Sequence, residues 1–251
     1  MHKIINNVAI KELFVDVRLN TTDVVVWLHL YRKRVNILAE HLRATNLARE
    51  TFRRSVQKLI SFDWAYAVQT DNPRSSLIVP SVPPDVEKLM IHALERTKNE
   101  VAFVGEWLMK CILDIIVDDH DFRDNARPNW LVSGGGSGRF ELDRWYRSAK
   151  VACDFHGSQH YSPGSTLHDG INEFQLQQWR DNVKAGICVR NGVKYVEISA
   201  KELSFDSIIE KLYCILPLRP IRMDRPLIQM ISNMCVSYAN AVNREERRRE
   251  Y

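Results

Sequence analysis

The stretch "KVACDFHGSQHY" (residues 150–161) joins a short apolar run to a cluster of polar side chains. The apolar run predicts a buried strand, in which successive side chains point to opposite faces. Asp154 and His156 would then share one face, and Cys153 and Phe155 would share the other. Ionisable groups are costly to bury, so their concentration at the end of a buried strand predicts a functional site there.

A second predicted strand, "RFELDRWY" (residues 139–146), alternates in the same way and carries Asp143. If the two strands are neighbours, Asp143 lies near Asp154 and His156. Two close carboxylates repel each other, and a divalent cation removes that conflict. Magnesium takes one or two carboxylates together with waters and phosphate oxygens. Gly157 would let the chain bend and keep the strand end open, so the pattern suits metal-assisted phosphodiester hydrolysis, although a solvated sheet face also fits the alternation.

The flanking sequence predicts the rest of an α/β core. Residues 85–119 are helical, as one long helix or two shorter ones, and "SGGGSG" (133–138) is a loop. A helix is predicted from Glu173 to Val189, followed by a turn and a strand in "NGVKYVEIS" (191–199). Its predicted core stripe is Leu176, Trp179, Val183 and Ile187, and its predicted polar face is Gln177, Asp181 and Lys184.

Residues 140–198 resemble the PD-(D/E)XK nuclease superfamily, and most of all the branch of the very-short-patch repair endonucleases and the EDxHD homing endonucleases. The resemblance rests on Asp143 in "ELDRWY", on "DFHGSQHY", and on "WRDNVKAGICVRNGVKYVEI". It implies a restriction-endonuclease-like mixed sheet flanked by helices. It also implies an endonuclease that uses Mg²⁺ or Mn²⁺.

The resemblance also implies roles for individual residues. Asp143 and Asp154 would be metal ligands, completed by Glu106 in "FVGEWLMKC". His156 stands where the family usually has lysine, and would orient or deprotonate the attacking water. The remaining implied site residues are Gln159, His160, Asp181 and Lys184. The second acid is Asp rather than the commoner Glu, and no lysine follows two residues later, so a loss of activity is an open alternative.

Each of these residues also has a simpler interpretation. Glu106 and Lys110 are four apart, the spacing of a surface ion pair on a helix. The polar helix face could be solvated, and His160 could bond a backbone carbonyl. A zinc site is the other open alternative, and it would use His156, His160 and His168.

The N-terminal part resembles a winged helix-turn-helix. Three helices are predicted at Thr21–Arg34, Ile37–Arg43 and Ala48–Ser61, followed by a hairpin in "WAYAVQ" and "LIVP". The third helix would bury one stripe and offer its other face to the major groove of DNA. The residues of that face are Arg49, Arg53, Arg54 and Lys58. A generic three-helix bundle would carry the same stripes.

The composition sets the wider expectations. The chain has 251 residues, a net charge of +4, five widely spaced cysteines and no apolar run long enough to span a membrane. An intracellular protein is expected, with domains at 1–84, 85–205 and 206–251, the last made of helices with a basic tail. The expected partner is double-stranded DNA, with RNA not excluded, and cutting both strands would require a homodimer or a partner protein. The alternatives are a strand-cutting transposase subunit and a catalytically silent DNA-binding or assembly factor.

Overall fold

Helices and two small sheets make up the computed structural model, which describes residues 2–32, 38–70, 76–133, 138–157 and 171–249. The predicted α/β class is therefore confirmed as a mixed α/β protein. The chain divides into two units. The first contains the residues up to Glu100 with Asp224–Leu227, and the second contains Val101–Met223 with the chain from Ile228 onward. No helix in these described ranges has both the length and the hydropathy needed to cross a membrane.

The first unit is five helices and a hairpin among its described residues. In order they are α1 (His2–Val15), α2 (Thr21–Arg32), α3 (Leu38–Thr45), α4 (Arg49–Ser61), β1 (Ala65–Gln69), β2 (Ser76–Pro80) and α5 (Pro84–Lys98). The three predicted helices and the hairpin are confirmed, and α1 was not predicted. Asn20 and Asp23 exchange side-chain and backbone hydrogen bonds of 3.0 and 2.9 Å, which fixes the start of α2.

Two tryptophans hold the hairpin against α2. The Trp27 indole N–H donates to the carbonyl of Trp64 at 2.8 Å and to that of Ser81 at 3.1 Å. Trp64 itself is fully buried, and its indole N–H donates to Asp16 at 2.8 Å. The hairpin is thus tied at both of its ends to the helices before it.

The first unit extends beyond the predicted boundary at residue 84. The three prolines of "VPSVPPDVEK" suggested a linker, but Pro84 opens α5, which packs on α1. Proline lacks an N–H that the first helical turn leaves unpaired in any case, so it can begin a helix as well as end one. The helical region 85–119 is two helices, because α5 ends at Lys98 and the next helix begins at Val104.

The second unit contains a four-stranded mixed sheet and four helices among its described residues. They are α6 (Val104–Ile116), β3 (Phe122–Ala126), β4 (Leu142–Tyr146), β5 (Val151–His156), α7 (Ile171–Arg190), β6 (Lys194–Ser199), α8 (Phe205–Leu212) and α9 (Pro226–Arg249). The strand order is β3-β4-β5-β6; the first three are antiparallel and β6 runs parallel to β5. Strand β3 was not predicted. The C-terminal helices, predicted as a separate segment 206–251, group with this sheet apart from the first turn of α9.

Arg144 marks the face of the sheet that α6 covers. Its guanidinium is fully buried, donates to Asp114 at 2.6 Å and to Asp124 at 2.7 Å, and lies 4.2 Å from the centre of the Phe122 ring. Two carboxylates and an aromatic ring together offset the cost of burying this charge. Because neighbouring residues alternate, Asp143 points to the opposite face, beneath α7.

The side of α7 that faces the sheet agrees with the predicted one only toward the C-terminus of the helix, where Ile187 packs against the core. Leu176 and Trp179, assigned to the core stripe, are 45 % and 53 % exposed. Cys188 is fully buried, and Lys184 forms an ion pair with Asp154 of β5. The predicted stripe is therefore wrong in its N-terminal half. The predicted polar face supplies the contact instead, because its lysine meets a carboxylate on the sheet.

Candidate active site

Asp143 and Asp154 hold each other in place across β4 and β5. The backbone N–H of Asp143 donates to Oδ1 of Asp154 at 3.0 Å, and the N–H of Phe155 donates to Oδ2 of Asp143 at 2.7 Å. Asp154 is almost completely buried. The alternation of the sequence predicted that these two carboxylates would be neighbours, and the structure brings them together at the ends of the two strands.

Burial and like charge act strongly on Asp143. Burial first, and then the charges of Asp154 and Glu106, raise the pKa of Asp143 to about 7. The charges of Asp154 and Glu106 therefore act on Asp143 in a place that is largely shielded from water. Such a cluster favours a bound cation or a held proton.

Gly105 explains how α6 brings Glu106 to the strands. A Cβ at Gly105 would lie 2.3 Å from the Phe155 ring and 2.7 Å from the Tyr238 hydroxyl. Only the missing side chain allows α6 to lie so close to β5 at this point. The next residue in the helix is Glu106, whose charge is one of the causes that raise the pKa of Asp143.

Lys184 supplies the positive charge nearest to the pair. Its ammonium forms an ion pair with Asp154 and donates to the backbone carbonyl of Glu141 at 3.3 Å. Burial alone would lower the pKa of Lys184, but the adjacent Asp154 outweighs it and the pKa is raised. Lys184 is therefore an ammonium in this site and provides the counter-charge for Asp154.

Glu106 forms an ion pair with Lys110 on the same helix. Lys110 pairs with Glu106 and donates to the Asn125 side chain at 2.8 Å, and Asn125 donates to Glu141 at 3.0 Å. The i, i+4 pair that the sequence suggested is present. It is not a surface pair, because the lysine side chain is only 9 % exposed and Glu106 still raises the pKa of Asp143.

His156 lies between two residues of β6. Its Nδ1 is 3.0 Å from the Glu197 carboxylate, and its Nε2 is 3.2 Å from the Tyr195 hydroxyl. The same hydroxyl donates to Oδ2 of Asp154 at 3.0 Å. Both ring nitrogens of His156 thus have protein partners in this arrangement. That geometry fits an orienting histidine better than one that takes a proton from water, which needs a ring nitrogen open to the water.

The remaining residues considered from the sequence are Gln159, His160, His168 and Asp181. Gln159, His160 and His168 lie outside the described residues, and the zinc alternative rests on two of them. Asp181 accepts a hydrogen bond of 3.0 Å from Gln177 on its own helix. The charge of Asp181 is one of the causes that raise the pKa of Lys184. Hydrogen bonds and ion pairs among the described residues link Asp143, Asp154, Lys184 and, through Tyr195, His156, whereas Glu106 acts on Asp143 through its charge.

Four further residues of the site were not found from the sequence: Lys110, Asn125, Tyr195 and Glu197. Tyr195 and Glu197 alternate in "KYVEI", a pattern that marks a polar sheet face but not its neighbour. Asn125 belongs to the strand that was not predicted. Lys110 was considered only as a surface partner of Glu106. To assign these four residues to the site, one must know which strands pair, and the spacing of residues in the sequence does not show this.

The carboxylates of this site are ligands that a hard divalent cation prefers, although they do not form a complete coordination shell. Within the described ranges, no group of three or more His, Cys, Asp or Glu side chains is arranged to hold a metal ion. Magnesium needs fewer protein ligands than that, since it keeps several waters. The fit rests on the carboxylates of Asp143 and Asp154, with Glu106 beside them and Asp143 destabilised as an anion by its neighbours.

The predicted DNA-binding face of α4 divides into two parts. Arg49, Arg53 and Arg54 are exposed, and Arg54 makes only a long 3.3 Å contact with the exposed Glu50. Lys58 instead binds the buried Asp23 at 2.8 Å. Three of the four predicted residues are therefore exposed, and the fourth, Lys58, is partly exposed and forms an ion pair with a buried aspartate.

The comparisons with known proteins match viral proteins over part of the chain. The chain is 32 % identical over 80 residues to uncharacterized protein 307L of Invertebrate iridescent virus 6, and 27 % identical over 90 residues to uncharacterized protein 094L of Frog virus 3. It is 29 % identical over 73 residues to uncharacterized protein 033L of Invertebrate iridescent virus 3. These matches cover 30 %, 36 % and 29 % of this chain and span 41 %, 58 % and 38 % of the relatives' own length. No family model and no solved structure matches the chain.

Proposed function

We propose that this protein is a metal-dependent DNA endonuclease of the PD-(D/E)XK type, with DNA held by an N-terminal winged helix. The observation that carries the proposal is the buried pair of Asp143 and Asp154, joined by hydrogen bonds across two strands, with the pKa of Asp143 raised to about 7 by burial and by its acidic neighbours.

The topology supports the same proposal. A helix, three antiparallel strands, a second helix and a strand parallel to the third follow in order, and helices cover both faces of the sheet. This is a mixed sheet flanked by helices, as the sequence resemblance implies. The acids lie on its two central strands, and Glu106 joins them from the first helix of that order.

Asp143 and Asp154 would hold the cation, with Glu106 beside them. When bound, a divalent cation supplies polarisation of the scissile phosphate and offsets charge on the leaving oxygen. Asp143 must release its proton to serve as a ligand. Lys184 offers an ammonium to the phosphate from the helix side, and His156 keeps Tyr195 and Asp154 oriented. The predicted role of His156 as the base remains a hypothesis, as do those of Gln159 and His160.

A plasmid assay tests the proposal. Supercoiled plasmid is incubated at low salt with the full chain and Mg²⁺, Mn²⁺ or EDTA, and nicked and linear products are counted. We expect cleavage only with a divalent cation, and none by Asp143→Asn or Asp154→Asn, while DNA affinity stays within a few-fold. The matched control is Asp206→Asn, an exposed aspartate in the first turn of α8, which should cut normally. Cleavage in EDTA, or by either site variant, would contradict the metal site.

A catalytically silent DNA-binding factor is the second candidate. It is favoured by the ion pair that Lys184 already makes with Asp154, which occupies a proposed metal ligand. Retained DNA binding without cleavage in Mg²⁺ or Mn²⁺ would select it. Cleavage that needs a second protein would instead select the strand-cutting transposase subunit.

A further inference from the structure

Strand β6 places two polar side chains on the same sheet face as the acidic pair. In the parallel ladder, Glu197 pairs with Asp154 and Tyr195 pairs with Ala152. Side chains at paired positions share a face, so Tyr195 and Glu197 lie beside Asp154 and His156 under α7. The opposite face of the same strand carries buried apolar residues, Val196 and Ile198.

The four side chains form one continuous polar chain. Glu197 contacts Nδ1 of His156 at 3.0 Å, Nε2 of His156 is 3.2 Å from the Tyr195 hydroxyl, and that hydroxyl donates to Asp154 at 3.0 Å. The chain begins at a carboxylate that is 44 % exposed and ends at one that is almost completely buried. A sheet face that only had to pack against α7 would be more stable with apolar side chains here.

The contacts on Asp154 fix the orientation of its carboxylate. Oδ1 accepts the backbone N–H of Asp143, while Oδ2 accepts the Tyr195 hydroxyl and pairs with Lys184. The two bonds of Oδ2 fill its lone pairs, and Oδ1 keeps one lone pair. Lys184 is on a separate helix and can move to a phosphate, whereas Tyr195 is on the neighbouring strand and stays.

We propose that Tyr195 is a positioning residue for Asp154, and that Glu197 and His156 hold Tyr195 in place. This inference rests on the proposed function, since Asp154 matters as a metal ligand there. Hydrogen bonds to ligating carboxylates orient them, and their removal costs 10–100-fold in metal affinity. The sequence resemblance gave no role to either residue of β6.

The test measures Mn²⁺ binding to the full chain by isothermal titration calorimetry, without DNA and at one pH. Tyr195→Phe should weaken binding by about 10–100-fold. Glu197→Gln should weaken it in the same direction, and its exposed position keeps the fold intact. The matched control is Tyr146→Phe, which removes an identical hydroxyl from a fully buried tyrosine on the opposite face of the sheet, and it should bind as the wild type does.

Three outcomes would overturn the inference. The first is wild-type affinity in Tyr195→Phe, and the second is an equal loss in Tyr146→Phe, which would mean that sheet packing alone was disturbed. The third is absence of Mn²⁺ binding by the wild type, which would overturn the proposed metal site as well. If Tyr195→Phe weakens Mn²⁺ binding but the wild type does not cut the plasmid, the inference stands and the proposed endonuclease activity fails.

Discussion

At the scale of single residues, Asp143 is the carboxylate of the candidate site whose pKa is raised by its surroundings. The Asp143 carboxylate accepts a hydrogen bond from the backbone N–H of Phe155. Burial and the charges of Asp154 and Glu106 raise its pKa from an ordinary 3.8 to about 7. Folding therefore makes Asp143 a weaker acid. The unfolded chain releases this proton near pH 4, and the folded chain keeps it until about pH 7.

This shift predicts a loss of stability with rising pH in the absence of metal. The contribution of Asp143 to folding is fully present below its unfolded pKa and is lost between about pH 4 and pH 7, at about 1.4 kcal/mol per pKa unit. Asp143→Asn cannot ionise and can still accept the Phe155 N–H. We expect this variant to be more stable than the wild type at pH 8, by on the order of a few kcal/mol, with a smaller difference at pH 4.5.

Urea unfolding in EDTA at pH 4.5, 6 and 8 measures this difference. Asp206→Asn serves as the control and should follow the wild type at every pH. If Asp143→Asn loses stability with pH as steeply as the wild type, Asp143 does not carry the raised pKa. Saturating Mg²⁺ should stabilise the wild type at pH 8 and should have less effect on Asp143→Asn, since ligands that bind only the folded state raise its stability.

At the scale of elements, the site depends on how closely helices approach the sheet. Helix α6 reaches β5 because Gly105 has no side chain against Phe155 and Tyr238. Helix α7 turns a polar side to the sheet because Lys184 meets Asp154 there. Gly105 permits the close approach of α6 to β5, and Lys184 makes the ion pair between α7 and β5.

Two glycine substitutions should have opposite effects. Gly105→Ala puts a Cβ 2.3 Å from the Phe155 ring, so the helix or the strand must shift, and we expect a loss of about 1–3 kcal/mol in unfolding free energy. Gly186→Ala on α7 has nothing within 4 Å of the new Cβ and should gain up to about 1 kcal/mol from helix propensity. Chemical denaturation of both variants measures the difference. Equal effects, or a neutral Gly105→Ala, would contradict the close approach of α6.

At the scale of the whole molecule, the charges are divided in a way that the small net charge of +4 conceals. Three exposed arginines lie on α4 in the first unit, and the acidic cluster lies in the second. The exposed basic face of α4 therefore belongs to one unit and the acidic cluster belongs to the other.

The exposed arginines of α4 lead to a prediction about how DNA affinity depends on salt concentration. Replacing Arg49, Arg53 and Arg54 by Ala should weaken binding to duplex DNA and should lower the slope of log K against log salt by about 0.9 for each lost phosphate contact. Lys58→Met is the matched control. It should reduce stability by on the order of 1 kcal/mol, because Asp23 keeps its bonds from Ser55 and Asn20 but loses its charged partner, and should leave the slope unchanged. Fluorescence anisotropy over a salt series measures both, and an unchanged slope in the triple variant would show that α4 does not touch DNA.

The sequence alone predicted most of the local elements and placed Asp143 and Asp154 on two alternating strands, whose pairing only the structure shows. Alternation in "ELDRWY" and "VACDFH", with helical periodicity before and after them, depends on neighbouring residues only. It predicted β4, β5, β6, the hairpin and most helices correctly. Strand β3, "FRDNA", has no apolar alternation of this kind, and α1 has a weak apolar stripe, so neither was predicted.

Only the tertiary structure decided which long-range partners each polar side chain has. The inward side of α7, the burial of Lys110 against Glu106 and Asn125, and the chain from Glu197 to Asp154 depend on contacts between residues far apart in the sequence. The end of the first unit was decided in the same way, by the packing of α5 on α1. Periodicity gives a helix two candidate faces, and the free energy of pairing a buried charge chooses between them.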